Sequence, residues 1–361
     1  MPASTGINPE RNTWRRLRRN KGALGGLIII ILAAGVAVCC YLIAPDNSPN
    51  ANRMIVEIGG QSPGFTQQFL KIPRQKRFEE TSFIHRLLYG KEDRYQYLPI
   101  TGYEKRNDSI IVQKYIDEGV SDRISFPSTQ FKDQDEPVET IRFHLGTDKY
   151  GRDILSRLLV GVRVSLGVGL VTVIISLSIG VLLGALAGYY RGWIDEAVMW
   201  FINVIWSIPT LLLVFAITLV LGKGFWQVFV AIGLTMWVNV ARIIRGQILG
   251  IRELEYIEAA RALGFSGSRI IVKHILPNVM GPVLVVAASN FASAIVIEAG
   301  LSFLGVGVQP PQPSWGLMIK ENYNFIITHN PMLAIAPGIA IMLLVLAFNL
   351  LGNGLRDSIT D

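Results

Sequence analysis

Six stretches of this chain carry no Asp, Glu, Lys or Arg, and they decide what it can fold into. They are Ala23–Ala44, Val164–Tyr190, Ala197–Gly222, Gly224–Ala241, Ile275–Ile297 and Asn322–Leu355. A helix needs about 20 apolar residues to cross the hydrocarbon core of a bilayer. Backbone amides there find no water, so only structures that satisfy them internally persist. The expected fold class is all-α and polytopic. Its six transmembrane helices are expected at 23–44 and at about 164–190, 197–222, 224–241, 278–298 and 332–351. The fourth is tightest, because Lys223 and Arg242 bound it closely, although both side chains can snorkel. Gly180, Gly184 and Gly188 expose bare backbone on one face of the second span, which permits close helix approach. Ser207-Ile208-Pro209 predicts a kink early in the third.

Charge is placed unevenly. Residues 46–139 hold 13 Lys/Arg and 15 Asp/Glu, 28 of the 61 charged residues in the chain. The chain therefore divides into a basic tail at 1–22, a first span, a polar insert at 45–141, and an apolar core at 142–361. The insert is not compositionally disordered: it has eleven aromatics, and disordered segments are poor in these. Met54–Ile58 and Ser109–Ile116 have the β-branched content of short strands. A small α+β unit is expected, serving as a cap or as part of a dock for a partner protein. The formal charge of +7 is spread beside apolar runs, which argues against nucleic-acid binding.

The tail carries Arg11, Arg15, Arg16, Arg18, Arg19 and Lys21 ahead of a 22-residue charge-free run. A cleaved leader usually has an apolar core of about 7–15 residues, so a retained helix is expected. With the N-terminus inside, the inner segments hold 14 basic residues, against Lys223 and Lys320 in the short outer loops. That asymmetry predicts cytoplasmic termini and an extracytoplasmic insert. Arg142, Lys149, Arg152, Arg157 and Arg163 run against the rule, but long translocated segments are largely exempt from it. The two cysteines, Cys39 and Cys40, are adjacent within an apolar run, so no disulfide framework is expected in the insert.

Little catalytic chemistry is written in the chain. It lacks a G-x-x-x-x-G-K-[ST] phosphate loop, a G-x-S-x-G elbow and a metal-ligand constellation, so no catalytic residue, metal or cofactor is expected. A secondary transporter would want ionisable groups in several spans. Glu298 alone qualifies, and an acid at that depth is costly. It can bind a proton or cation, cap a neighbouring helix, or hold a gate with Ser302 and Gly305. An anchored enzyme would want an acid and histidine cluster in the insert, where His85 is the only histidine.

The most informative stretch lies in the long inner segment 242–277. Ile251–Pro277 reads IRELEYIEAARALGFSGSRIIVKHILP. Glu253–Ala262 has good helix formers, Gly264 supplies a left-handed stop, and Ser266 or Ser268 can cap a second short helix running to Pro277. The product is a helix–turn–helix docking element.

This stretch resembles the EAA loop of ABC-importer permeases. It has Glu258-Ala259-Ala260, then Arg261, Gly264 and a closing Leu276-Pro277, with His274–Asn278 in the form typical of the dipeptide and oligopeptide branch. Three further stretches resemble that branch. His144–Asp148 leads to Gly151-Arg152-Asp153 and Gly161–Leu166. Trp237, Ala241-Arg242 and Arg245 precede the loop. Glu298–Gly305 runs on to Gln309-Pro310-Pro311 and Pro313–Gly316. The resemblance covers about residues 1–45 and 142–361, and the long insert departs from it. It implies a type I ABC importer permease fold and a role as half of a translocation pathway for di- and oligopeptides. It also implies a second permease, two ATPase subunits that bind the ATP and dock on the 251–277 loop, and an extracytoplasmic binding protein. Nickel, glutathione or modified peptides are the alternative cargoes within the branch. In the loop, Glu258 is expected to cap the turn or to meet the ATPase, and Arg261 and Arg269 to face acidic ATPase surface or solvent.

Overall fold

The computed structural model describes residues 16–360 except 77, 79, 80, 107, 118, 132–135, 223, 328 and 329. Arg11, Arg15 and Lys223, used above, lie outside the described residues.

Five described helices are long and apolar enough to cross a membrane. They are α1 (Lys21–Ile43), α3 (Ile154–Tyr190), α6 (Phe225–Ile251), the run Gly267–Leu304, and α11 (Met332–Thr360). A sixth span exists if α4 (Gly192–Trp206) and α5 (Thr210–Leu221) count as one, for they are bent by 92°. The break falls at Ser207–Pro209, where proline withholds an N–H and its ring excludes the preceding turn. The Ile205 carbonyl, four residues before Pro209, takes the Ile208 N–H instead, and the Ser207 hydroxyl donates to the Val204 carbonyl at 2.7 Å.

Several helices outrun their apolar stretches. The helix that carries the second charge-free run starts at Ile154, ten residues before that run, because Asp153 caps it. The Ser156 amide donates to Asp153 Oδ2 at 2.8 Å, a standard N-cap bond. Helix α6 continues to Ile251 and not 241. Its extra turns are polar on one side, where Arg245 Nη2 donates to Asp195 Oδ2 at 2.6 Å and Arg242 lies 3.9 Å from the centre of the Trp206 ring. Helix α11 runs past 351 to Thr360.

Chain packing separates two units. One contains the described residues up to Ala33, then Ser165–Gln309, and the chain from Ile341 onward. Its core is built around α6, against which α3 packs closely. A Cβ on Gly180 would lie 2.4 Å from Val240, one on Gly184 2.6 Å from the Ala241 carbonyl, and one on Gly188 2.9 Å from Ile248. The glycine face is thus the contact that lets the two backbones approach.

The other unit contains Ala34–Val164 and Pro310–Ala340. It is built on a five-stranded antiparallel sheet of β1 (Phe65–Pro73), β2 (Tyr95–Lys105), β3 (Ser109–Asp117), β4 (Val120–Pro127) and β5 (Val138–Phe143). The spatial order is β4-β3-β2-β1-β5. Alternating side chains fill two small cores, one around Phe69, Tyr115 and Phe143, the other around Leu70, Ile100, Val112 and Phe131. The expected strand at 54–58 is instead a short 3-10 turn, Val56–Ile58. It lies outside the sheet because its polar backbone is claimed by the 147–150 segment. Ile55 N–H donates to the Tyr150 carbonyl, and the Thr147 hydroxyl donates to the Ile58 carbonyl. A short helix, α2 (Phe83–Tyr89), joins β1 to β2, and α10 (Trp315–Asn322) lies in the 310–340 segment.

Candidate functional site

The inner segment proves to be mostly helix. Helix α6 leads through a three-residue link into α7 (Glu255–Ala262), then a turn, then α8 (Gly267–Ile270). The second short helix does not stop at Pro277, as expected. It passes through a π-turn, Ile271–Ile275, straight into α9 (Leu276–Leu304). Proline removes the bond that its own N–H would make four residues back and crowds that carbonyl. The preceding π-turn, closed by Leu276 N–H to the Ile271 carbonyl, opens the ladder there and lets the helix continue. The helix–turn–helix element is therefore continuous with a long helix.

The turn between α7 and α8 is a Schellman motif. Phe265 N–H donates to the Ala260 carbonyl and Gly264 N–H to the Arg261 carbonyl. Gly264 has φ +76, with no atom within 4 Å of where a Cβ would stand. Its requirement is conformational and not steric. Ile257, Ala260, Ile270, Ile271 and Ile275 anchor the element in a core shared with Ala185, Val240, Ile244, Ile248 and Val279. Apolar burial contributes about 1.5–3 kcal/mol per large aliphatic side chain, so this anchoring holds the element firmly.

The sequence-predicted residues distribute as follows. Glu258 lies in the first turn of α7 and not at its end; it is exposed, and its carboxylate has no ion-pair or hydrogen-bond partner among the described residues. The expected capping role therefore has no support. Ala259 is exposed beside it, and Ala260 is buried. Arg261 lies 5.2 Å from the centre of the Tyr189 ring. Phe265 stacks on His274, with centroids 6.1 Å apart, and carries Arg269 at 4.2 Å. Both arginines are thus braced by aromatic rings, which orients their charge. Leu276 is half-buried and Pro277 exposed. Between these groups Leu263, 73% exposed, projects at the turn.

The second predicted cluster lies at the far end of α9. Glu298 is 1% exposed and accepts a hydrogen bond from Ser302 Oγ at 2.6 Å. Ser302 Oγ in turn accepts from the Val308 amide at 3.0 Å. Gly305, at φ +85, ends the helix in a second Schellman motif, with Val306 N–H on the Leu301 carbonyl and Gly305 N–H on the Ser302 carbonyl. Glu298, Ser302 and Gly305 therefore form one device. The carboxylate orients a hydroxyl, and the hydroxyl pins the chain that leaves the helix.

Sequence reasoning missed a third site. Asp148, Arg152, Arg157 and Glu321 form a buried ionic cluster. Arg152 Nε donates to Asp148 Oδ2 and Nη2 to Glu321 Oε2, both at 2.6 Å. Arg157 lies 3.9 Å from Asp148 and 3.6 Å from Glu321, and none of its guanidinium nitrogens makes a hydrogen bond among the described residues. Next to it, burial pushes the Asp153 carboxyl up, partly offset by its bonds from Ser156. The spacing of Asp148, Arg152 and Arg157 near a span was visible in the sequence, but Glu321 is far along the chain.

Such an arrangement of long apolar helices is that of a multi-pass membrane protein. The family model for "binding-protein-dependent transport system inner membrane component" matches residues 180–360, and that for the "N-terminal TM domain of oligopeptide transport permease C" matches 9–57. The chain belongs to the binding-protein-dependent transport system inner membrane component family. It is 38% identical over 237 residues to the oligopeptide transport system permease protein of Bacillus subtilis, covering 66% of this chain and 77% of that one. It is 43% identical over 215 residues to the glutathione transport system permease protein of Pectobacterium atrosepticum, covering 60% and 71%. It is 41% identical over 214 residues to the dipeptide transport system permease protein of Alkalihalophilus pseudofirmus, covering 59% and 70%. Among solved structures, the inward-facing MetNI methionine ABC transporter aligns with 57% of this chain and 97% of its own, at 20% identity and a TM-score of 0.48. The chain is thus a permease subunit of an ABC importer and not an enzyme, and it is a multi-pass protein of the inner membrane.

Proposed function

We propose that this chain forms half of the translocation pathway for di- and oligopeptides, with a second, related permease as the other half. On this reading the fold is the type I importer fold, and the bent pair α4–α5 is the sixth span. Both termini are cytoplasmic, as the basic residues of the inner segments favour, and the insert faces outward. Two ATPase subunits bind ATP and seat the α7–α8 element, while a binding protein delivers substrate from outside. The observation that carries this reading is the α7–α8 element. It is anchored through Ile257, Ile270 and Ile275 to the same core as α6 and α9, yet it presents Glu258 and Leu263 to solvent. A partner that moves this element therefore moves two spans with it. Glu298, Ser302 and Gly305 are proposed to set the gate at the other end of α9.

The test is reconstitution of the chain with its sister permease, ATPases and binding protein in proteoliposomes. Uptake of labelled di- and oligopeptides that requires internal ATP supports the reading. Uptake of glutathione alone, under the same conditions, reassigns the cargo while leaving the permease role intact.

A further inference from the structure

None of the residues of helix α2 is buried. Phe83 and Ile84 are 64% and 65% exposed, and Leu88 is 41% exposed. At 100° per residue, Phe83, Ile84, Leu87 and Leu88 share one side, as i, i+4 pairs do on a helix. His85, Arg86 and Tyr89 occupy the other, with the His85 and Tyr89 rings 5.1 Å apart. The stripe has no counterpart in the sheet's two cores. Left in water, it would be an apolar patch with nothing to cover it.

Its position says what covers it. The end of α2 rests on the ends of two spans. A Cβ on Gly90, the residue after α2, would stand 3.0 Å from the Tyr41 ring, and Lys91 N–H donates to the Asn47 carbonyl at 2.9 Å. Arg163 Nη1 donates to the Leu88 carbonyl at 2.6 Å, satisfying a carbonyl that the end of a helix leaves open. Arg163 also lies 6.0 Å from the centre of the Tyr41 ring. Helix α1 has 23 residues, about 35 Å at 1.5 Å each, against a hydrocarbon core of about 30 Å. Tyr41, two residues from its end, therefore lies at the membrane boundary, where tyrosine is favoured. Arg163 stands just before the charge-free run of α3, at the same level. In the same last turns of α1, Val38, Leu42 and Ile43 are exposed, as lipid-facing residues of a span are.

We propose that α2 is an interfacial helix whose Phe83, Ile84, Leu87 and Leu88 stripe sinks into the lipid headgroup–acyl boundary, so that the insert is seated on the bilayer. Arg86 and His85 then lie at headgroup level, the usual disposition of an amphipathic helix in the membrane plane. This inference needs only that α1 and α3 span the bilayer; it does not depend on the cargo or on which face the insert occupies.

The test uses the assembled transporter in lipid nanodiscs, with Cys39 and Cys40 replaced and a nitroxide placed at one position at a time through Phe83→Cys, Ile84→Cys, His85→Cys or Arg86→Cys. Relaxation by oxygen, which partitions into lipid, is compared with relaxation by a water-soluble nickel chelate. Positions 83 and 84 should shift towards oxygen and lose nickel accessibility, while 85 and 86 show the reverse. High nickel accessibility at all four would mean that the stripe faces water. Immobile labels at 83 and 84 shielded from both reagents would mean that protein covers it. Either result overturns the proposal. Retention of the ATPase subunits by each labelled variant shows that the complex is intact.

Discussion

Replacing Gly264 separates a conformational requirement from a steric one. The residue has φ +76 and open space where a Cβ would stand. A side chain there meets no clash but must adopt the left-handed region, at about 1–2 kcal/mol. A β-branched residue is stiffer and fares worse than alanine, whereas asparagine enters this region readily. One to two kcal/mol is roughly a 5- to 30-fold change in the population of a two-state element. The Schellman bonds from Phe265 to Ala260 and from Gly264 to Arg261 should open by that factor in Gly264→Val. The α7–α8 element would lose its shape while α6 and α9 stay in place. The assay measures ATPase subunits retained on the affinity-purified permease, together with peptide uptake, across Gly264→Asn, Gly264→Ala and Gly264→Val at equal membrane abundance. Retention and uptake should fall in that order, with asparagine nearest wild type. Wild-type behaviour in Gly264→Val would refute the reasoning. A Gly264→Asn variant as defective as Gly264→Val would also refute it, because bulk at the contact, and not φ, would then decide.

Three other perturbations follow from the described geometry. Glu298→Ala removes the acceptor that orients Ser302, and a buried donor left unsatisfied costs about 1–3 kcal/mol. It should raise basal ATPase activity and lower uptake, while Glu298→Gln, which keeps an acceptor, stays close to wild type; a pH-dependent loss in Glu298→Gln would indicate proton coupling instead. In the ionic cluster, Arg152→Met should lower the thermal midpoint of the purified complex far more than Arg157→Met, because Arg152 makes both 2.6 Å bonds; breaking a buried pair costs about 3–5 kcal/mol, and equal effects would sink this assignment. In the sheet unit, burial pushes the Glu57 carboxyl up, but the hydrogen bond and charge of Lys114, with Glu57's own amide, outweigh it and hold it below its ordinary value. A carboxyl depressed in the folded state contributes stability above its unfolded pKa and loses it as pH falls through the folded value. The thermal midpoint of wild type should therefore exceed that of Lys114→Met at pH 7, and the difference should shrink on acidification below the ordinary glutamate range; a constant difference would show that the pair contributes only packing.

The sequence by itself determined the rough placement of the apolar segments, because charge is excluded from lipid whatever the tertiary arrangement. It also determined the glycine stop at Gly264, since a left-handed turn admits few other residues. The break at Ser207–Pro209 was legible for the same kind of local reason. Tertiary structure decided where the helices end. Asp153 and the pairing of Arg245 with Asp195 extend α3 and α6 beyond their apolar runs, and these depend on hydrogen bonds and not on hydropathy. It alone joined α8 to α9 through the π-turn, because Pro277 reads in sequence as a stop unless the ladder before it widens. Residues 54–58 looked like a strand by composition, yet their backbone partners, Thr147 and Tyr150, come from far along the chain. Glu321 could be recognised as a partner of Arg152 only once folding brought α10 to the start of α3. Periodicity and composition act over a few residues; pairing of buried charges acts through space, so only the folded chain reveals it.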